Sequence, residues 1–208
     1  MLKYFIGGEI TAAAVEPFCK FLNENEGQEV EVEICSPGGE VLAGLQMAQA
    51  MEKFTGKITC KCGLYAASMA GVLALMGDKL TCNKNSFLML HAPMTGNDYA
   101  NAKEHREHAD FLDQLTATIK NYLHGKVKDA AALDTWLDSD STWFGADAMA
   151  ENFGAEVLGA GELIVFNKGD FAKMKDLPEA LKTAFDKENK KNLRLEMLIA
   201  KAEELGIK

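Results

Sequence analysis

No apolar run in this 208-residue chain approaches the roughly 20 residues that a membrane-spanning helix requires. The opening Met1-Leu2-Lys3 leads into Tyr4-Phe5-Ile6-Gly7-Gly8, too short an apolar stretch for the core of a secretory signal peptide. Clustered cations are missing as well. Lys and Arg number 22 against 31 Asp and Glu, a net charge of −9, and no basic stripe interrupts that excess. Phosphate backbones are held by clustered Lys and Arg, so nucleic acid is excluded as the expected partner. Cysteine is sparse and without pattern. Cys19, Cys35, Cys60, Cys62 and Cys82 show no Cys-x-x-Cys spacing, and no histidine pair stands near enough in sequence to complete a zinc site. They read as reduced and buried, which predicts a cytoplasmic protein with no metal and no cofactor. What is there is ordinary for a soluble globular chain: 48% apolar residues, 25% charged residues, and a length that suits one ample core.

Strand-like and helix-like patterns alternate along the chain and predict an α/β fold. Leu2 to Ile6 reads as a strand, Ala12 to Asn23 as a helix, Glu29 to Cys35 as a strand and Val41 to Phe54 as a helix. A strand follows from Lys57, then a buried helix over the apolar run Met69 to Met76, then short strands at Lys79 to Cys82 and Phe87 to Leu90.

Three segments at the ends of those strands carry chemistry. In Gly63-Leu64-Tyr65-Ala66-Ala67-Ser68-Met69-Ala70-Gly71 a lone serine stands between a strand and a helix. Unpaired backbone N–H groups and the positive end of the helix dipole lie where a tetrahedral oxyanion would form beside its oxygen. Serine is also a favoured N-cap, and small residues at a helix start also permit plain close packing. In Ile34-Cys35-Ser36-Pro37-Gly38-Gly39-Glu40-Val41 a strand runs into paired glycines, which let backbone approach a ligand and present N–H groups outward. A simple tight turn is the alternative. In Ser86-Phe87-Leu88-Met89-Leu90-His91-Ala92-Pro93 a strand ends on a histidine, a candidate general base or a packed histidine.

Taken in order, Ser36 to Gly39, Gly63 to Met69 and His91 resemble the motifs of the Clp-type serine peptidases, the Ser-Pro-Gly-Gly turn, Gly-x-Ala-Ala-Ser-Met and a strand-end His, at matching intervals. Tyr4 to Ile10 is similar to the family's opening strand and turn, so the resemblance spans roughly residues 3 to 158. It implies the spiral of β-β-α units shared by Clp peptidases and crotonases, a distinction the fold alone does not make. By the same resemblance Ser68 is the nucleophile, His91 the base, and the backbone N–H groups of Gly39 and Met69 the oxyanion hole, with Gly38 and Gly39 along the substrate. Protein or peptide substrates, a homo-oligomer of stacked rings, and a Clp ATPase as a partner that is not required complete what it implies.

The family's acid falls two residues before an aromatic that precedes an Ala-x-x-Ala helix. Here Asp138-Ser139-Asp140-Ser141-Thr142-Trp143 puts Ser141 in that slot if Trp143 is the aromatic. Asp140 is the expected third member through an inserted loop residue, with Asp138 or a Ser-His dyad as alternatives; the acid matters because it fixes the imidazole tautomer. Asp98 to His124 reads as a long polar helix with Phe111, Leu112, Leu115, Ile119 and Tyr122 on one stripe. The resemblance makes it a protruding handle between facing rings; a helix lying on its own core is the alternative. His105 and His108 on it read as solvated surface rather than metal ligands.

A peptidase domain is therefore expected over 1–158 and an extension over 159–208, with an amphipathic helix from Pro178 to about Leu205. The chain opens directly on its first strand, without the axial-loop segment of unfoldase-dependent subunits. That opening and the helical tail resemble the Clp-like peptidases of tailed phages and prophages, which process capsid or scaffold proteins. Three readings stay open: a self-compartmentalised serine endopeptidase, a housekeeping ATP-dependent subunit among them; a crotonase-like acyl-thioester enzyme, which does not need Ser68; and a catalytically silent assembly protein.

Overall fold

A computed structural model describes residues 1–96, 99–159, 177–179 and 181–183. Its elements begin β1 (Leu2–Gly7), α1 (Ala12–Glu24), β2 (Glu29–Ser36), α2 (Val41–Lys53), β3 (Lys57–Ala67), α3 (Met69–Met76), β4 (Lys79–Asn83) and β5 (Phe87–Leu90). They continue with α4 (Ala102–Leu123), α5 (Ala132–Asp138), β6 (Thr142–Gly145), α6 (Ala146–Phe153) and β7 (Glu156–Leu158). The chain divides into two compact units, Met1–Met174 and Lys175–Lys208. In the second, the amides of Leu181 and Lys182 both donate to the Pro178 carbonyl. The rest of the expected tail helix, and the apolar stretch Leu163 to Phe166, lie outside the described residues.

The first unit is built on a seven-stranded sheet ordered β1-β2-β3-β4-β7, with β5 paired to β3 and β6 to β5. Every pairing is parallel except β5 with β6. β2 shows why the strands take this form: Val30, Val32 and Ile34 alternate onto a fully buried face, while Glu31 and Glu33 turn to the other and meet Lys3 and Lys61 at 2.7 Å each. Phe18 and Leu22 of α1 and Met47 and Ala48 of α2 bury against the apolar side, with Tyr4 edge-on to Phe18 at 5.3 Å. Each large side chain so buried contributes roughly 1.5–3 kcal/mol.

The strand–helix alternation runs unbroken from β1 to α3, and two strands then follow one another as β4 and β5. β3 decides where that second pair sits. Its register against β2 shifts between Ile34↔Cys62 and Ser36↔Ala66, a bulge at Gly63 and Leu64. A Cβ at Gly63 would stand 3.0 Å from the Ile34 carbonyl oxygen, so the bulge leaves little room for a side chain there. Before the bulge β3 pairs β4 through Thr59–Cys62; after it, Tyr65–Ala67 pair β5.

The helix expected from Asp98 starts instead at Ala102. Asn101 fixes that point: its side chain accepts from the Lys103 and Glu104 amides while Glu104 bonds back to the Asn101 amide, a reciprocal capping box. The buried residues of α4 lie in its C-terminal half, Leu115, Ile119 and Leu123, where Lys120 also meets Asp134 at 2.6 Å. Phe111 is 47% exposed. No helix among the described residues is long and apolar enough to cross a membrane.

Truncating Leu123, which is fully buried, to alanine should cost about 2–5 kcal/mol of stability. Asp113→Ala, on an exposed position of the same helix, should change it by no more than about 0.5 kcal/mol. Urea titrations of the two variants check the contrast.

Candidate active site

The parallel pairing of β3 with β5 ends at Ala67↔Met89, so the residues that follow each strand emerge side by side at the carboxyl ends, where ligands of parallel sheets bind. Those residues are Ser68 and His91. The Ser68 amide donates to the Met89 carbonyl at 2.9 Å, and Ser68 Oγ lies 2.7 Å from His91 Nε2. Ser68 takes φ 57° and ψ −128°, and it is the one non-glycine residue with positive φ among those described. Backbone strain of this kind persists only where the surroundings impose it. Here the strand is clamped to β5 and α3 begins at the next residue, with the Val72 amide donating to the Ser68 carbonyl at 3.2 Å.

α3 is apolar all round and buried throughout, as a helix threaded through a core must be. Gly71 allows its approach, since a Cβ there would come 2.5 Å from the Met89 oxygen. As the first residue of α3, Met69 has an amide with no intrahelical acceptor. At the other end the Lys126 ammonium takes the carbonyls of Met76 and Gly77 at 3.0 and 3.3 Å, which satisfies groups the helix leaves over. The Met69 side chain lies against Gly44 of α2, where a Cβ would meet its Cγ at 2.1 Å.

The Pro37-Gly38-Gly39 turn sits against this point. Gly38 has φ +93°, and a Cβ on it would stand 2.7 Å from the Ser68 Cβ and 3.0 Å from the Met69 nitrogen. Gly39, at φ +151°, bridges to Ile10: the Ile10 amide donates to the Gly38 carbonyl at 2.7 Å, and the Glu40 amide to the Ile10 carbonyl at 2.8 Å. The Gly39 amide takes no part in that bridge. It shares a planar trans peptide with the Gly38 carbonyl, so it points away from Ile10. Gly38, Gly39, Ser68, Met69 and His91 thus come together as the sequence motifs imply.

Asp140 does not join them. It is exposed just ahead of β6, Asp138 is exposed at the end of α5, and no carboxylate among the described residues hydrogen-bonds His91. The β5–β6 register explains the placement: Leu90 pairs Thr142, and one antiparallel step further sets Ser141, not Asp140, opposite His91. Burial alone pushes the His91 pKa below the ordinary 6.5, because a half-dry site disfavours the imidazolium.

Beside the turn opens an apolar cleft of about 310 Å³, walled by Val41 and Leu42 of α2, Pro93 and Met94 after β5, and Phe111 and Leu112 of α4. His105 stays exposed on α4, while His108 joins the cleft lining. Among the described residues no three His, Cys, Asp or Glu side chains group to hold a metal ion. The five cysteines form no disulfide, and burial pushes Cys60 up to about 12 and Cys82 up to about 11. Such thiols stay protonated near neutrality and are poor nucleophiles. Sequence reading gave no role to the Ser36 hydroxyl, whose only sequence signal is a serine directly before Pro-Gly-Gly.

The chain is similar to several known proteins. Among curated proteins, an ATP-dependent Clp protease proteolytic subunit of Bacteroides thetaiotaomicron is 27% identical over 159 residues, 72% of this chain and 70% of that one. One from Bacteroides fragilis is also 27% identical over 159 residues, covering 72% and 74%. The ATP-dependent Clp protease proteolytic subunit 1 of Salinibacter ruber is 32% identical over 95 residues, covering 45% and 41%. The family model described as Clp protease matches residues 3–158, and the chain therefore belongs to the Clp protease family and is a serine-type peptidase.

Proposed function

We propose that the protein is a serine endopeptidase in which Ser68 attacks a peptide carbonyl while His91 Nε2 takes the hydroxyl proton. The 2.7 Å contact between those two atoms, at the start of a buried helix, carries the reading. The oxyanion that forms is held by the amides of Gly39 and Met69, two fixed donors at the mouth of a dry core. His91 then returns the proton to the leaving amine, and water, activated in the same way, hydrolyses the acyl-enzyme. A lowered pKa suits the base, since the imidazole is neutral and proton-accepting at pH 7. The carboxylate expected at Asp140 is not needed for this cycle, although one would strengthen it.

Substrates on this reading are extended segments of unfolded or loosely folded proteins, lying along Gly38 and Gly39 with a large apolar side chain next to the cut bond. The apolar cleft beside the turn supports that preference. The enzyme works as a homo-oligomer of stacked rings, with the N-terminal half of α4, which holds no buried residue, and its exposed Phe111 as the contact between rings. Five cysteines without a disulfide fit a cytoplasmic setting. The setting proposed within that activity is maturation of capsid or scaffold protein in a tailed phage or prophage, after the resemblance of its motifs and tail pattern. The names of the curated relatives favour a second reading, an ATP-dependent proteolytic subunit. Cleavage of a casein-like protein and of a purified capsid scaffold, with and without a Clp ATPase and ATP, separates the two. Strict dependence on the ATPase supports the second.

Ser68→Ala should abolish peptidase activity and fluorophosphonate labelling. The Ser68 hydroxyl makes no capping bond to α3, so the thermal melt should shift by no more than about 1 kcal/mol in stability. Turnover at the wild-type rate would falsify the assignment. kcat/KM should rise with pH through an apparent pKa below 6.5 and level off by about pH 7; a midpoint above 7 speaks against His91 as the base. Phe111→Glu should separate the rings in light scattering, because an unpaired charge in a closing interface costs several kcal/mol.

A further inference from the structure

Ser36, the last residue of β2, is a fully buried polar side chain outside the reacting group. Its Oγ donates to the Gly8 carbonyl at 2.6 Å and accepts from the Gly38 amide at 3.1 Å. One hydroxyl therefore ties the turn that follows β1 to the turn that follows β2. Gly38 and Gly39 have almost no conformational preference of their own, so their positions must be imposed from outside. Two contacts do so. The peptide entering Gly38 is held through its N–H by Ser36, and the peptide leaving Gly38 is held through its C=O by the Ile10 amide at 2.7 Å. The second of these peptides carries the Gly39 N–H. With both peptides fixed, both torsions of Gly38 are fixed, and so is the direction of that N–H.

We infer that Ser36 is a positioning residue that sets the oxyanion-binding amide of Gly39, an inference that rests on the proposed role of that amide. A Ser36→Ala chain loses the contact at the entering peptide and leaves the part-buried Gly8 carbonyl and the buried Gly38 amide without the Ser36 partner. The Gly38 torsions then relax, and the Gly39 N–H leaves the place where the oxyanion forms. The loss falls on the transition state, since the ground-state carbonyl gains little from a donor aimed at the oxyanion.

Steady-state kinetics of the full-length protein test it, beside the affinity of a peptide boronate whose adduct with Ser68 is tetrahedral. In Ser36→Ala, kcat should fall by about tenfold to a hundredfold while KM stays within about twofold. Boronate affinity should fall by a similar factor, affinity for a non-cleavable peptide should hold, and the pH midpoint set by His91 should not move. Ser36→Cys, nearly isosteric and a weak donor and acceptor, should lose less of each. Unchanged kcat and boronate affinity in folded Ser36→Ala overturn the inference, as does equal weakening of boronate and non-cleavable peptide. Should Ser36→Ala fail to fold, a folded Ser36→Cys with wild-type kcat overturns it instead. Fluorophosphonate labelling of the wild type keeps the two levels apart. A labelled Ser68 with unaffected Ser36 variants refutes the role of Ser36 alone, whereas no label on Ser68 refutes the reading beneath it.

Discussion

The pairing of β3, first with β4 and then with β5, is the constraint on which the rest of the site depends. β4 has five residues and pairs β3 only through Thr59–Cys62, so the last residues of the eleven-residue strand are left for β5. The register shift against β2 at Gly63 and Leu64 falls between the two pairings, after Cys62↔Cys82 and before Tyr65↔Phe87. Through the second pairing two strands separated in sequence by α3 and β4 end next to each other, with Ser68 leaving one and His91 the other. The 2.7 Å contact between their side chains follows from backbone pairing rather than from any attraction between serine and histidine. A net hydrogen bond worth about 1 kcal/mol would not hold two chain segments in register by itself.

The same pairing supports the strained backbone of Ser68. Positive φ at a residue with a Cβ costs about 1–3 kcal/mol, which must be offset by the structure around it. On one side Ser68 is bonded to the Met89 carbonyl; on the other it opens a helix buried over its whole length. The strain points the side chain out of the strand–helix corner and leaves the Met69 amide open beside it. Gly38 then packs on that corner so closely that no side chain fits. Strand register, helix burial and glycine turn act on one another, so a change in any of them reaches the reacting atoms without touching them.

Much of this was legible from the residues. Alternating Val30, Val32 and Ile34 announced β2, and the unbroken apolar run announced α3 to the residue. The motifs placed Ser68, His91 and the glycine turn because each marks a strand end, and strand ends of a parallel sheet meet. Elements held by tertiary contact were harder to see. α5 is seven residues long and closes with a serine, and β7 has three residues that pair only because β4 offers an edge. The start of α4 was misread because the side chains on its stripe do not mark where a helix begins; Asn101 and Glu104 do, through a bond back along the chain. Ser36 escaped notice for a related reason. Its partner Gly8 lies 28 residues away, and nothing in the local pattern joins the two.

The acid is the residue for which sequence and register part company. A carboxylate near the right position was expected to bond His91, yet antiparallel pairing sets side chains opposite one another in fixed steps, and Asp140 is one step out of place. A carboxylate beside an imidazole raises its pKa, whereas the His91 pKa is lowered, with burial as the cause. The lowered value keeps the ring neutral at pH 7, which suits the proposed proton abstraction, but among the described residues no carboxylate bonds the ring to offset an imidazolium. On the proposed mechanism, stabilisation at that stage then rests more heavily on the opposite charge, the oxyanion, and on the two amides proposed to hold it. With no carboxylate among the described residues bonded to His91, the proposed mechanism depends correspondingly more on the exact placement of the Gly39 and Met69 N–H groups, and hence on the Ser36 hydroxyl that holds the Gly38 turn.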